Sequence, residues 1–366
     1  MGEIALHWYF QNSSMGAYIK GIGIISPQKT FDTKFFEEVI LPFTGNRMKC
    51  IEPDYSLYID AKQIRRMSRI IRMGTASSVK ALKDAGVEKP GAVIVGTAFG
   101  CLEDTETFLK KMIQNKEEML NPTAFIHSTH NSIASQIALL FQCKGYNSTY
   151  VHRNISFESA MMDTVLLLQE NETESVLAGG IDELTDSSFS ILKLLGYYKE
   201  NSELNSTNLY DANSKGSVAG EGSAFFLLVN KPDKKCYAEI RAVKTFSFIS
   251  EEEVASQVKE LLSEHKIDRA DILISGHNGD LDDDKIFKSF ATRLNMQDAI
   301  LKYKHLCGEY PTSTGFALWM AALIIKKNEL ASEFGLKSLS GKKINNAIIY
   351  NQQKNLHHSI TILSAC

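Results

Sequence analysis

Short apolar runs of strand length alternate along this chain with longer runs of helical periodicity, and that alternation narrows the folds open to it. Ala17 to Pro27, Ala-Tyr-Ile-Lys-Gly-Ile-Gly-Ile-Ile-Ser-Pro, reads as a strand. Ile70, Ile71, Met73, Ala76, Val79 and Leu82 recur at helical spacing and predict a helix over Arg69–Asp84, stopped by Gly86. Next come a short buried strand at Ala92–Gly96, a helix at Ser132–Phe141, a strand at Ser148–Arg153, an apolar helix at Phe157–Glu170, and strands at Ser175–Gly180 and Ser223–Val229. After the polar break Lys231-Pro232-Asp233-Lys234-Lys235 the alternation resumes. It predicts a strand at Ala238–Phe246, an amphipathic helix at Glu251–His265, a strand at Ala270–Ser275, an apolar helix at Thr314–Lys327, and closing strands at Ile344–Tyr350 and Ser359–Leu363.

Apolar strands separated by helices predict a layered α/β fold with sheets buried on both faces. The break near Lys231 separates halves of similar element order, so a duplication is expected, with one half at residues 15–231 and the other at 232–366. Residues 1–14 match nothing downstream. A second Met-Gly, Met15-Gly16, directly precedes the first strand, so the leader, with its Tyr9-Phe10-Gln11, is read as an appended segment.

Composition removes several classes of function. With 40 basic and 43 acidic residues the net charge is −3, which leaves no electrostatic footprint for nucleic acid and no polybasic membrane patch. The longest apolar stretch, Gly315 to Ile325, is too short to span a bilayer. The six cysteines lie far apart, with no Cys-x-x-Cys and no Cys/His cluster, so neither a zinc site nor a disulfide framework is expected. The chain reads as cytoplasmic with free thiols.

Four segments carry residue types suited to chemistry. In Ser148–Ser159 a strand feeds a sharp turn and then a helix, a geometry that presents a residue to free N–H groups at a helix N-terminus. The turn residues are Asn154, Ile155 and Ser156; the amide is no nucleophile, and Ser156 would need a base. Gly276-His277-Asn278-Gly279-Asp280 ends an apolar strand, where His277 suits acid/base or oxyanion work, or is a turn histidine satisfied by backbone. Lys304-His305-Leu306-Cys307-Gly308-Glu309 sets an ammonium and a carboxylate on one loop, as a site or as an ordinary ion pair. Gly216-Ser217-Val218-Ala219-Gly220-Glu221-Gly222-Ser223 permits close backbone approach, yet matches no phosphate-binding or dinucleotide motif, so no cofactor is expected.

In order and spacing, these segments resemble the β-ketoacyl-acyl-carrier-protein synthases, condensing enzymes of the thiolase fold. The likeness runs from about Gly21 to Leu363. It rests on Gly21-Ile22-Gly23-Ile24-Ile25-Ser26-Pro27, Arg65-Arg66-Met67-Ser68-Arg69, Gly96-Thr97-Ala98-Phe99-Gly100-Cys101-Leu102-Glu103, Ala178-Gly179-Gly180 and Gly220-Glu221-Gly222. Asn121-Pro122-Thr123, Thr129-His130-Asn131 and Gln136-Ile137-Ala138 resemble the segment that lines the acyl pocket and dimer contact. The resemblance implies a duplicated five-layer α-β-α-β-α architecture, and substrate-binding positions at Phe125, Thr129, Asn131 and Ser156.

The departures from the family pattern carry the functional expectation. Counting at the family's spacing from Gly145, and back from Ala178, both arrive at Asn154 where the nucleophilic cysteine belongs. The family's first histidine matches His277 and its lysine matches Lys304, while its second histidine falls on Glu309. The Gly-rich gate is replaced by Asn351-Gln352-Gln353-Lys354-Asn355-Leu356, and the covering insertion between Phe248 and Glu251 is shortened. Condensation needs a thiolate to hold the acyl group, imidazoles and oxyanion donors. Losses within such a set are far from additive, so the first removes most of the rate. The resemblance therefore implies a chain-length-factor-like subunit of a fatty acid, polyketide or polyene pigment system. Its partners would be an active ketosynthase in a heterodimer, or a second copy of itself, and an acyl carrier protein. The alternatives are an acyltransferase or malonyl decarboxylase using His277, and a homodimeric scaffold without catalysis.

Overall fold

The computed structural model describes residues 16–31, 40–120, 122–200, 204–211, 213–328 and 342–366. The expected leader at 1–14 lies outside the described residues. The strands are β1 (Ala17–Ile25), β2 (Ala92–Thr97), β3 (Asn147–Val151), β4 (Ser175–Asp182), β5 (Gly222–Val229), β6 (Ala238–Ser247), β7 (Ile272–Ser275), β8 (Ile300–Lys302), β9 (Asn346–Gln353) and β10 (His357–Ser364).

Their order in the sheet is β3-β2-β4-β5-β1-β6-β10-β9-β7-β8. Adding five to each strand number of the first half gives the order of the second, read from the opposite edge. The pairing senses repeat as well. β2 runs parallel to β3 and β4, as β7 does to β8 and β9; β5 is antiparallel to β1 and β4, as β10 is to β6 and β9. The two halves join through three residue pairs of β1 and β6, Ala17–Ile240, Tyr18–Glu239 and Ile19–Ala238.

Side-chain alternation then assigns the layers. On β2, Ala92 and Ile94 enter a central core, while Val93 and Val95 enter an outer one. Helices α1 (Arg69–Ala85) and α4 (Ser132–Leu140) pack on the outer face of the first half; α2 is Leu102–Gln114 and α3 is Pro122–His127. The central layer holds α5 (Ser156–Gln169) and α10 (Thr314–Lys327), which touch strands of both halves. Beyond α6 (Asp186–Leu194), helices α7 (Glu251–Glu264) and α8 (Leu281–Arg293) cover the far face, and α9 (Lys304–Cys307) leads into α10. The result is five layers, α-β-α-β-α.

Sequence follows layer. From Thr314 to Ile325 every residue of α10 is buried, as befits a helix with a sheet on each side. Truncating one of its large side chains, as in Leu323→Ala, costs about 2–5 kcal/mol. The outer helix α7 buries only Val254, Ala255, Val258 and Leu261, and opens with a Ser250/Glu253 capping box. Among the described residues, no helix is long and apolar enough to cross a membrane.

Most predicted elements stand within a few residues of their expected bounds, and α10 matches at both ends. Helices α2, α3, α6, α8 and α9 and strand β8 have no counterpart among the predicted elements. Helix α8 carries Asp282, Asp283 and Asp284 in its first turn, which hides the apolar period, although Asp280 caps it. Strand β8 is only 3 residues long.

Candidate functional site

The turn after β3 is where chain and chemistry meet. β3 lies parallel to β2, and Gly96 on β2 lets the start of α5 approach closely: a Cβ there would stand 2.5 Å from the Ser156 carbonyl oxygen. Asn154 sits on this turn, its N–H donating to His152 Nδ1 at 3.1 Å. No side chain caps α5, so the positive end of the helix faces the turn without a local acceptor. Asn154 Oδ1 and Ser156 Oγ are buried without a hydrogen-bond partner.

Glu309 comes to the same place along another route. Gly308, at φ 75°, follows α9 and packs against Gly220; a Cβ on Gly308 would meet Gly220 Cα at 2.6 Å. The Glu309 N–H donates to Val218 O at 2.7 Å, and its carbonyl accepts from Gly220 at 3.0 Å, so its backbone is pinned on both sides. Glu309 Oε2 accepts from Lys304 Nζ at 2.6 Å and from Asn278 Nδ2 at 3.0 Å. Lys304 Nζ also donates to Asn351 Oδ1 at 2.9 Å, and Asn278 Nδ2 reaches Asp283 Oδ2 at 3.3 Å.

These groups floor a polar cleft of about 440 Å³, counted with its open mouth. Asn154, Asn278, Asp283, Glu309 and Asn351 line it, and Arg153, Tyr197 and Lys354 form the rim. The Arg153 guanidinium and the Lys354 ammonium lie 5.4 and 5.5 Å from the centre of the Tyr197 ring. No cysteine is among the lining residues. Cys307, the nearest in sequence to Glu309, is fully buried, and burial pushes its thiol well above the usual range, which keeps it protonated.

The predicted site residues therefore divide. Asn154 and Glu309 line the cleft, and Lys304 lies beneath it, tied to both Glu309 and Asn351. His277 is turned away. Its ring stacks on Phe287 at 5.0 Å and its Nδ1 meets Ser275 Oγ at 2.9 Å. Burial, then Lys302, Lys288 and Lys304, push its pKa down to about 3, so it stays neutral inside the second half. It is Gly276 whose side-chain direction meets the cleft network, since a Cβ there would lie 2.2 Å from Asn351 Oδ1.

Ser156 is buried on the first turn of α5 and does not line the cleft. Phe125, Thr129 and Asn131 do not line it either. Phe125 is largely exposed and packs on Phe108, Thr129 Oγ1 pairs with Ser132 Oγ at 2.9 Å, and Asn131 begins α4. Sequence reasoning missed Asn278 and Asn351. Both lie in segments already singled out, but amides next to a histidine or in place of glycines carried no separate signal.

The family model for the β-ketoacyl synthase N-terminal domain matches residues 46–234. The chain belongs to the β-ketoacyl synthase family. A curated relative, 3-oxoacyl-[acyl-carrier-protein] synthase 2 of Synechocystis, is 24% identical over 189 residues, covering 48% of this chain and 44% of that protein. The match thus spans less than half of the relative's length. Among solved structures, a β-ketoacyl synthase from Burkholderia phymatum aligns with a TM-score of 0.79 at 16% identity, over 96% of this chain and 100% of that one. The ishigamide ketosynthase/chain length factor aligns with a TM-score of 0.76 at 15% identity, over 96% and 99% of the two chains. A ketosynthase in complex with its chain length factor from Xenorhabdus doucetiae gives 0.76 at 13% identity, over 96% and 98%. At these identities the likeness is one of fold: this β-ketoacyl synthase family member has the thiolase-like architecture of its neighbours.

Proposed function

We propose that this chain is a ketosynthase-like subunit that does not condense on its own. It would act as the chain-length-factor-type partner of an active β-ketoacyl synthase in fatty acid or polyketide biosynthesis, in a polyene pigment cluster of the aryl polyene or flexirubin type. One observation carries the reading: the cleft at the β3–α5 turn holds the amide of Asn154 and the Lys304–Glu309 ion pair, with no cysteine. An amide cannot carry an acyl thioester. A carboxylate at Glu309 would repel a malonyl carboxylate and the enolate formed from it. The orientation of His277 speaks against the transferase and decarboxylase alternatives.

The surface supports a partner. β3 ends the sheet order, so its outer edge pairs with no described strand. Val151 and Tyr146 at its ends are 49% and 46% exposed. The flanking helices α4 and α5 expose Leu139 and Leu166 beside it. An unpaired edge strand among exposed apolar side chains is a template for association, and an obligate pair would bury on the order of 2,000–5,000 Å².

Co-expression with a β-ketoacyl synthase that keeps its nucleophilic cysteine tests the reading. A stable one-to-one complex that forms carrier-bound product, with product lost when this chain is omitted, is the expected result. A self-dimer that binds neither ketosynthase nor carrier protein would replace the proposal with the scaffold alternative.

A further inference from the structure

His152 stands directly after β3, and its ring does what an asparagine or aspartate does in a tight turn, where a side-chain atom accepts the backbone N–H two residues on. The Asn154 N–H donates to His152 Nδ1 at 3.1 Å. A backbone N–H can only donate, so Nδ1 must keep its lone pair and the imidazole its proton on Nε2. The contact therefore exists only with the neutral ring in that one tautomer. A further proton would set an Nδ1–H against the Asn154 N–H, two donors face to face. The turn so held is the one that presents Asn154 to the cleft and leads into α5, whose start has no side-chain cap.

From β10, His357 faces this ring edge to face, with ring centres 5.1 Å apart and 80° between the planes. His357 Nδ1 in turn meets Ser247 Oγ of β6 at 2.9 Å, and Phe248, just past β6, packs its apolar ring 5.7 Å from His357. The fixed charges on neighbouring segments turn elsewhere. Arg153 on the same turn and Lys354 between β9 and β10 lean on Tyr197 at the cleft rim. Glu158, on the first turn of α5, accepts from the hydroxyls of Thr314 and Ser359 at 2.7 and 3.0 Å. Burial, then His357, push the His152 pKa below the ordinary histidine value, in keeping with a ring that folds neutral.

We propose that His152 is a positioning residue for the cleft: its neutral ring is the catch that holds the Asn154 turn, and a proton on Nδ1 releases it. Release would shift Asn154 relative to the Lys304–Glu309 pair and loosen the end of β3. The cleft then keeps its form only while the imidazole is neutral. The catch works within this one chain, whatever partner binds it.

Solvent exchange of the Asn154 amide, read by NMR on the full chain carrying isotope-labelled asparagine, tests the catch. His152→Phe keeps a flat ring but offers no acceptor, and at about pH 7.5 its Asn154 amide should exchange about fivefold faster than in the unaltered chain. His152→Asn, whose Oδ1 can accept the same N–H and does not titrate, should match the unaltered chain there. As the pH is lowered to about 4.5, exchange in the unaltered chain should rise above that in His152→Asn by the same factor, with a midpoint below about 6.5. Comparing the two chains at each pH cancels the intrinsic pH dependence of exchange. With labelled histidine, His152 should show the Nε2–H tautomer at neutral pH. His357→Asn should keep the transition, because His357 is the neighbour of the catch and not the catch. An Nδ1–H tautomer would overturn the proposal, as would a His152→Phe amide that exchanges no faster. So would a His152→Asn chain that tracks the unaltered one down to acid pH, or a transition that disappears with His357.

Discussion

Lys304 Nζ lies 2.6 Å from Glu309 Oε2, and the pair is unequally buried: the lysine side chain is 1% exposed and the glutamate 25%. The ammonium has therefore lost nearly all its water, while the carboxylate still faces the cleft. Glu309→Ala should cost about 2–4 kcal/mol, because it strands a buried charge whose remaining acceptor is Asn351. Lys304→Met combined with Glu309→Leu should recover most of that loss. Urea unfolding of the three variants measures it; a double variant no more stable than Glu309→Ala would refute the assignment of the cost to a stranded ammonium.

Restoring the thiol alone should not restore condensation. Asn154→Cys would place sulfur at the uncapped start of α5, where the helix end favours a thiolate. Glu309 would still repel the malonyl group. The expected outcome is an acyl adduct on the variant and no β-ketoacyl product. Turnover by Asn154→Cys at the rate of an ordinary ketosynthase would show that Glu309 is no barrier.

Acid should weaken the fold before most carboxylates titrate. The ordinary histidine value is about 6.5. His277 is held at about 3 by burial and nearby lysines, and His305 at about 4 by burial and Lys302. Between the two sets of values the unfolded chain binds protons that the folded chain does not, so stability falls as pH drops from 6.5 towards 4. His277→Phe should flatten that slope by up to about 1.4 kcal/mol per pH unit. An unaltered slope in denaturation curves at pH 6.5, 5.5 and 4.5 would contradict the buried, neutral imidazole.

Charging the open edge should separate partners without unfolding the chain. Val151→Lys adds an exposed ammonium at the end of β3, where the side chain is already half in water. Its own stability should change by less than about 0.5 kcal/mol. Sedimentation should show loss of the complex with the partner ketosynthase; retention of that complex would place the interface elsewhere.

Fold was more legible than site. Strands such as β2, and the long apolar run Phe316–Ile325 of α10, announce their layers because a sheet or helix buried on two sides must be apolar on both. The repeated strand order was visible only as a resemblance between halves, because pairing is a long-range property that local pattern does not carry. At the site, Asn154 and Glu309 were found because turn and loop positions can be counted along the chain. His277 stands at the expected strand end, but its ring stacks on Phe287, a partner that the local sequence does not announce. Asn278 and Asn351 were missed because their importance comes from meeting across 73 positions, Lys304 and Glu309 between them, which no local motif records.

The central claim is that the cleft cannot hold an acyl group covalently. Intact-mass measurement of the purified chain after incubation with acyl-loaded and malonyl-loaded carrier protein tests it most directly. The account predicts an unmodified mass and no β-ketoacyl product until an active ketosynthase partner is added. An acyl adduct on the chain alone, accompanied by condensation product, would contradict it.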